Sequence, residues 1–389
     1  MAAARDFDIV VFGATGFTGE LTAAYLAEHA PADCRWALAG RSTAKLEAVR
    51  TKLAAINPAC ADLPLLKADV SEPATITAVA ASTKVVITTV GPYLQFGEPL
   101  VAACAEAGTD YVDLTGEPEF VDLMYLAHQE KAVATGARIV HACGFDSIPH
   151  DLGAYFTIGQ LPAGQKAKVR GVVRSGAQFS GGTFHSAMGA MSRQAQAKKA
   201  LSERRKAEGR PAGRKVRSVQ GKPGRDAVLG YYLLPMPTID PLIVVRSAAA
   251  LDVYGPDFSY SHFAGLKTLR YTIGGALGVG SMVVAANIPP LRNALKKRIK
   301  QGDGPSESRR AKSWFTVDFI GEAGGKTVHT RVSGGDPGYT ETSKMLAESA
   351  LSLAFDDNPP SAGQVTTAQA MGDKLLARLQ KAGITFEVV

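Results

Sequence analysis

Gly13, Gly16 and Gly19 recur at three-residue spacing in the run Gly13-Ala14-Thr15-Gly16-Phe17-Thr18-Gly19. Ahead of it, residues 7–12 (Phe-Asp-Ile-Val-Val-Phe) form a short β-branched and aromatic stretch that reads as a buried parallel strand, and Glu20–His29 behind it reads as helix. Strand, glycine turn and helix in that order can cradle a diphosphate. Gly13 permits the tight turn, Gly16 lets backbone amides approach a pyrophosphate, and Gly19 lets the helix pack closely on the strand, while the helix N-terminus offers N–H groups and positive dipole. A purely structural glycine turn is the plain alternative, and the elements on both sides favour the dinucleotide site. Arg41 follows 22 residues after Gly19, at the end of the next apolar run, where an acidic residue would bond a ribose 2′-hydroxyl. Its planar fork suits a 2′-phosphate instead, with Ser42 and Lys45 as further donors, so NADP is expected over NAD. A solvated Arg at the strand end is the bland reading.

Hydride transfer from such a cofactor needs a placed electrophilic carbon and a donor for the charge that develops. Tyr93 could donate its hydroxyl to an enolate oxygen, or pack on the nicotinamide. Asp146 and His150, with Ser147 between them, could form a proton relay; Asp146 and Ser147 suit equally a cap on a helix beginning near Pro149, and capping is the expected role. Tyr93, Asp146 and His150 are the catalytic candidates. Asp113 and Glu117 could do acid–base work as paired carboxylates or bind amides around the Thr115-Gly116 turn. His141 reads as a core histidine. His185, beside Ser180-Gly181-Gly182-Thr183, could help bind an anionic substrate tail, or the turn is a plain loop. None of the eleven tyrosines has Lys four positions on, which argues against the short-chain reductases. Cys143 could be a nucleophile of the semialdehyde-reductase kind but reads better as a small buried hydrophobe. No HExxH or clustered Cys/His spacing appears, so no metal site is expected.

The elements that must position these residues continue the alternation. Strands are expected at Arg35–Ala39, Pro64–Ala68, Lys84–Val90, Tyr111–Leu114 and Arg138–Ala142, with helices at Ala44–Ala55, Glu98–Glu106 and Glu119–Ala134. Six strands alternating with helices make an α/β, Rossmann-like doubly wound parallel sheet. Ligands bind beyond the carboxyl ends of such strands, which puts Asp69 and Val70 near the adenine and Val90, Gly91, Pro92 and Tyr93 near the nicotinamide ribose.

Together with Ala39-Gly40-Arg41, Tyr111-Val112-Asp113-Leu114-Thr115-Gly116-Glu117 and Gly144-Phe145-Asp146-Ser147-Ile148-Pro149, these motifs resemble those of the saccharopine dehydrogenase-like oxidoreductases. Within them the likeness is greatest to the actinobacterial trans-acting enoyl reductases, through Gly334-Gly335-Asp336-Pro337-Gly338-Tyr339 and Ala382-Gly383-Ile384-Thr385-Phe386. The resemblance implies an NADP-dependent oxidoreductase with a Rossmann-like first domain and a mixed-sheet second domain covering the nicotinamide. Its enoyl branch implies an unsaturated acyl substrate on a polyketide synthase carrier; its better-known branch implies an imine from lysine metabolism. A protein that keeps NADP to sense redox state or lipid, without turnover, is a third possibility.

The 389 residues divide as an NADP-binding domain over 1–150, an α+β substrate domain over 151–340, and C-terminal helices over 341–389 (Ser343–Phe355, Thr367–Ala382) that pack back near the first domain. Hydrophobic residues at 46% and charged at 20% are ordinary globular composition and exclude a disordered or wholly membrane-embedded chain. Strands are expected in the second domain at Ala167–Arg174, Leu242–Arg246 and Trp314–Gly321. Charge is uneven: 10 Lys/Arg against 18 Asp/Glu in 1–150, and 33 against 18 in 151–389. Without interleaved aromatics the basic half does not point to nucleic acid. Its stretch 193–225 reads as solvated and mobile, or as a dock for an acidic carrier protein. The 21 uncharged residues Tyr271–Leu291, long enough to cross a bilayer but diluted by Gly and Pro, read as a buried or substrate-lining helix, with peripheral membrane contact through the basic flank at 292–312, and last a true span, as the alternatives. Four scattered cysteines and no secretory leader suggest reduced thiols in the cytoplasm, at most membrane-associated. A homodimer stays open.

Overall fold

The computed structural model describes residues 5–177, 181–298 and 305–389. β1 (Phe7–Phe12) and α1 (Phe17–His29) open an alternation that runs through β2 (Trp36–Gly40), α2 (Thr43–Ile56), β3 (Leu65–Lys67), α3 (Pro73–Ser82), β4 (Thr83–Thr88), α4 (Tyr93–Phe96), α5 (Glu98–Ala107), β5 (Asp110–Asp113), α6 (Pro118–Thr135) and β6 (Arg138–Val140). These strands pair parallel in the order β6-β5-β4-β1-β2-β3. The order reverses beside β1, which opens a crevice at the carboxyl ends of β1 and β4. The strands are apolar on both faces because both are covered. Ile9, Val11, Val85 and Ile87 enter the core beneath α1, whereas Val10, Phe12 and Val86 enter the core beneath α3, α5 and α6.

The chain then crosses through α7 (Ile148–Gly159) into β7 (Ala167–Ser175), α8 (Gly181–Ser192), α9 (Gln194–Glu208), β8 (Lys215–Ser218), β9 (Gly224–Arg225), β10 (Tyr232–Pro235), α10 (Asp240–Ala250), β11 (Asp257–Leu266), α11 (Leu269–Asn287), α12 (Pro289–Arg298), α13 (Glu307–Arg310), β12 (Phe315–Ala323) and β13 (Lys326–Gly334). It ends with α14 (Thr340–Phe355), β14 (Gly363–Val365), α15 (Thr367–Ala370), α16 (Gly372–Lys381) and β15 (Thr385–Val388). The second sheet is mixed, β15-β13-β12-β7-β11-β10-β9, with β8 also on β11. Residues 341–389 supply a strand to each sheet: β14 extends the parallel sheet beyond β6, and β15 edges the mixed one. α7 lies against β12 and β13, where Gly153 lets Phe319 approach so closely that a Cβ there would sit 2.3 Å from its ring.

Four expectations are corrected. Leu242–Arg246 lies in the helix α10, not a strand: Asp240 and Pro241 open its first turn, and Ile243, Val244, Ser247 and Ala248 form its buried stripe. The stretch 193–225, expected as solvated and mobile, holds α9 and the strands β8 and β9. α9 packs on α6, with Arg204 almost fully buried against Asp122 and Glu208, and it stops at Gly209, whose φ is +72°. α11 is not buried. Only Thr272, Ala285 and Ala286 of its 19 residues are buried, and Tyr271, Leu277 and Val284 are exposed at 62%, 67% and 58%. The helical run at 367–382 is two pieces, broken at Met371 and Gly372.

Candidate functional site

At the crevice, Gly13 carries the chain out of β1 with φ +87°, and a Cβ there would meet Val90 Cγ2 at 2.7 Å. Gly19 lies on the strand turn itself, where a Cβ would come within 2.2 Å of the Gly13 carbonyl oxygen. Gly16 is the N-cap of α1 and supplies no side chain to the first-turn amides, so the N–H groups following it are presented at the crevice. Thr89 Oγ1 donates to Gly13 O at 3.1 Å and ties the end of β4 to the turn. Arg41 is exposed at the end of β2 and has no ion-pair partner among the described residues. Ser42 is the N-cap of α2, its Oγ accepting from the Lys45 amide at 3.4 Å. An unpaired guanidinium beside a helix N-terminus fits a 2′-phosphate. Asp69 follows β3, its carboxyl held below the ordinary range by bonds from Ser71, with Arg41 adding to the effect. Asp69 and Arg41 are therefore neighbours, and Val70 is half-buried beside them.

On the other side of β1, Val90 and Pro92 are half-buried and Gly91 exposed. Tyr93 differs from its expected reactive role. Its hydroxyl donates to Thr88 O at 3.1 Å and accepts from the Leu114 amide at 3.4 Å, its ring packs on Phe120, and burial pushes the phenol well up. Those bonds join the ends of β4 and β5. Glu117 caps α4, accepting from the Tyr93 and Leu94 amides at 3.1 and 3.0 Å, and takes a third bond from Ser186 Oγ at 3.0 Å. Asp113 accepts from the amides of Thr115 and Ala142, from Tyr111 Oη and from His141 Nδ1 at 2.6 Å. Both carboxylates thus hold turns together. Cys143 is fully buried and its thiol is pushed well up by burial, the state of an inert hydrophobe.

After β6 the backbone folds sharply, with Ala142 at φ 60° and Ser147 at φ 149°. Ser147 is the N-cap residue of α7 but makes no side-chain cap bond, so capping by the Asp146-Ser147 pair is not what the structure holds. Such a φ is strained for a serine and keeps Asp146 turned toward Gly116, where a Cβ would lie 3.0 Å from Asp146 Oδ2. The Asp146 carboxyl is half-buried. Burial, with Asp240 adding to it and His150 opposing, pushes it up to about 6. His150 Nδ1 lies 3.0 Å from Asp240 Oδ1, misaligned for a hydrogen bond, and Asp240 Oδ2 lies 3.6 Å from His262 Nε2. Ser147 Oγ reaches Asp240 at 3.5 Å, and Thr238 Oγ1 donates to it. Burial pushes the Asp240 carboxyl up, but His150, His262 and Thr238 outweigh it and hold it far below the ordinary range. His262, its Nδ1 bonded to Tyr260 Oη at 3.1 Å, is lowered to about 4 by burial and stays neutral at pH 7.

Asp240 and His262 escape sequence reasoning because they stand on α10 and β11, about a hundred positions beyond His150. The one signal is an acid opening a helix within a run whose composition suggests strand. Ligand atoms of His150, Asp240 and His262 lie within 4.8 Å of one another, a set a divalent cation could also use. Phe145 packs edge-on against His150 and Phe315, and its amide donates to Thr342 Oγ1 of α14. The 334–339 turn meets the glycine loop: Phe17 and Tyr339 cross edge to face at 4.8 Å, while Asp336 accepts from the Tyr339 and Thr340 amides. Ser180 and the side chains of 181–183 lie outside the described residues; His185 stands on α8 beside Phe184.

Residues 9–140 match the model of the saccharopine dehydrogenase NADP-binding domain. The chain is 38% identical to a trans-acting enoyl reductase of Mycobacterium tuberculosis, over 98% of this chain and 97% of that protein. It is 37% identical to the trans-acting enoyl reductase of Mycobacterium ulcerans, over 98% of each. In fold it is similar to apo saccharopine dehydrogenase of Saccharomyces cerevisiae, with a TM-score of 0.58 and 12% identity over 98% of this chain and all of that one.

Proposed function

This chain belongs to the trans-acting enoyl reductases of the saccharopine dehydrogenase-like family and is an NADP-dependent oxidoreductase; from that premise we propose that it reduces the carbon–carbon double bond of an unsaturated acyl thioester, carrier-bound or lipid-like. The observation that carries the proposal is Asp146, a half-buried carboxyl pushed up to about 6 beyond β6, with the anion of Asp240 behind it. A carboxylic acid that keeps its proton up to about pH 6 is a competent general acid. In this reading residues 13–19 hold the diphosphate, Arg41, Ser42 and Lys45 the 2′-phosphate, Asp69 and Val70 border the adenosine, and Val90–Pro92 the nicotinamide ribose. Bound NADPH supplies the hydride. Asp146 gives its proton to the α-carbon of the substrate and is reprotonated from solvent, so that one hydride and one proton are added across the double bond. Asp240 and His150 act as positioning residues, one raising and one lowering the Asp146 carboxyl. Phe145, half-buried and edge-on to the buried Phe315, offers an acyl chain an apolar contact. The cationic face of α9, where Lys198, Lys199, Arg205 and Lys206 are exposed, suits an acidic carrier.

Single-turnover oxidation of bound NADPH by a panel of 2-enoyl pantetheine thioesters, against a panel of imines, tests this. Oxidation by the thioesters is expected. Oxidation by imines alone would replace the proposal with amino-acid imine chemistry, and tight NADPH binding without oxidation by either would leave a nucleotide-binding sensor.

A further inference from the structure

We infer that α11 and α12 form a peripheral membrane-binding surface that lies flat on an anionic bilayer. Of the 19 large hydrophobic side chains exposed among the described residues, eight fall within residues 269–291, including Tyr271, Ile273, Leu277 and Val284. Scattered exposed hydrophobics are ordinary, but a run of this density along α11 and the start of α12 marks an interaction surface. Residues 271–291 carry no charge, and the chain from 258 to 302 contains no acidic residue at all, while Lys267 and Arg270 precede the apolar stretch and Arg292, Lys296, Lys297 and Arg298 follow it. An apolar face bordered by unneutralised cations complements acyl chains beneath anionic headgroups. A second copy of the chain is a poor occupant, since both ends of the apolar stretch are cationic and pairing in either direction would set Lys and Arg against Lys and Arg.

Topology decides between lying on the bilayer and crossing it. α11 is long enough to span, at 19 residues or roughly 28 Å. Yet β11, which feeds it, and β12, which follows it, both pair with β7 in one sheet, so the chain leaves and returns on the same side. The intervening residues 292–314 are strongly basic and supply no second crossing. The surface also connects to the site. Met188 of α8 packs with Ala285 and Ala286, and Ser186 of the same helix bonds Glu117, which caps the Tyr93 turn. One helix therefore separates a bilayer-seated α11 from the crevice.

Co-sedimentation of the full chain with vesicles tests this without turnover and so independently of the substrate. Vesicles of phosphatidylglycerol and phosphatidylcholine are expected to pull down the protein, phosphatidylcholine alone much less. Leu277→Glu with Ile273→Glu, both on exposed positions, should abolish partition while NADPH binding and circular dichroism stay unchanged; Lys296→Glu with Lys297→Glu should weaken partition to the anionic vesicles by about tenfold or more. No sedimentation with either vesicle would overturn the proposal. So would light scattering that shows a dimer dissolved by the Leu277 and Ile273 changes, since the face would then belong to a second copy.

Discussion

His150 Nδ1 and Asp240 Oδ1 stand 3.0 Å apart in the interior, each on the first turn of its own helix, and each almost fully buried. Burial raises the nearby Asp146 carboxyl, and this pair adjusts it in opposite senses, Asp240 upward and His150 downward. Asp146→Asn should therefore lower the rate of NADPH-dependent reduction by about a hundredfold or more. In the wild type the rate should fall as pH rises through about 6, because the general acid loses its proton. Asp240→Asn removes the anion that raises Asp146, so the midpoint of that decline should move to lower pH. Stopped-flow NADPH absorbance across pH reads both; an undiminished rate in the Asp146→Asn enzyme would remove Asp146 from the chemistry.

Two shifted groups in this cluster pull stability in opposite directions with pH. His262 is lowered from 6.5 to about 4, so the unfolded chain binds the extra proton and stability is lost as pH falls from about 6.5 toward 4. Asp146 is raised from 3.8 to about 6, so its contribution is fully present below 3.8 and is lost as pH rises through about 6. Each variant exposes the other's slope. Relative to wild type, His262→Gln should gain thermal stability as pH is lowered through that window, and Asp146→Asn as it is raised. Parallel melting curves at every pH would show that neither shift exists.

The parallel sheet and its glycine loop were legible because they obey local rules: a β-branched run, a turn only glycine can make, a helix after it. Arg41 was legible because its position is fixed by that count. The cluster of His150, Asp240 and His262 was not. Asp240 and His262 join His150 only through the packing of α10 and β11 against α7, and the run Pro241-Leu242-Ile243-Val244-Val245 has strand-like composition that its buried helical stripe overrides. Exposure is equally illegible: an uncharged segment such as Tyr271–Leu291 reads the same whether neighbours cover it or not. The three-residue β14 falls below any periodicity that could be counted.

Arg41→Ala should discriminate between the two nicotinamide nucleotides. A lost charge-assisted contact is worth about 1.5–3 kcal/mol, which is roughly a ten- to hundredfold rise in the Kd for NADPH. NADH, lacking the 2′-phosphate, should bind the variant as it binds the wild type. Calorimetry with both nucleotides measures this, and an equal loss for the two would place Arg41 away from the phosphate.

Within the basic stretch the residues do different work, and substitution separates them. Arg204 is 2% exposed, bonded to Asp122, Glu208 and Gln364 and lying 4.2 Å over the Tyr125 ring. Removing it leaves Asp122 facing only Arg246, so Arg204→Ala should cost about 3–5 kcal/mol of stability in denaturant titration. Lys199→Ala, exposed on the same helix, should leave stability within about 0.5 kcal/mol and act only on the salt dependence of carrier-bound turnover. Equal stability of the two variants would make α9 a dispensable appendage.

Gly19 is the position where the geometry of the loop is least forgiving. A methyl group there would sit 2.2 Å from Gly13 O and 2.9 Å from Thr89 Oγ1, and the carbonyl is backbone that the β1 register holds in place. Relief requires α1 to lift from the sheet, which drags the first-turn amides away from the crevice and loosens the Phe17–Tyr339 contact at the same time. Gly19→Ala should therefore lower stability by about 1–3 kcal/mol, as overpacking does, and weaken NADPH and NADH together. Gly16→Ala is its counterpart: a Cβ there meets only Gly13 O at 3.5 Å, so the folded chain tolerates it. The methyl would then stand where a diphosphate must come close, so Gly16→Ala should keep the melting temperature and lose affinity for both nucleotides. If Gly16→Ala binds NADPH as the wild type does, the loop does not hold the diphosphate.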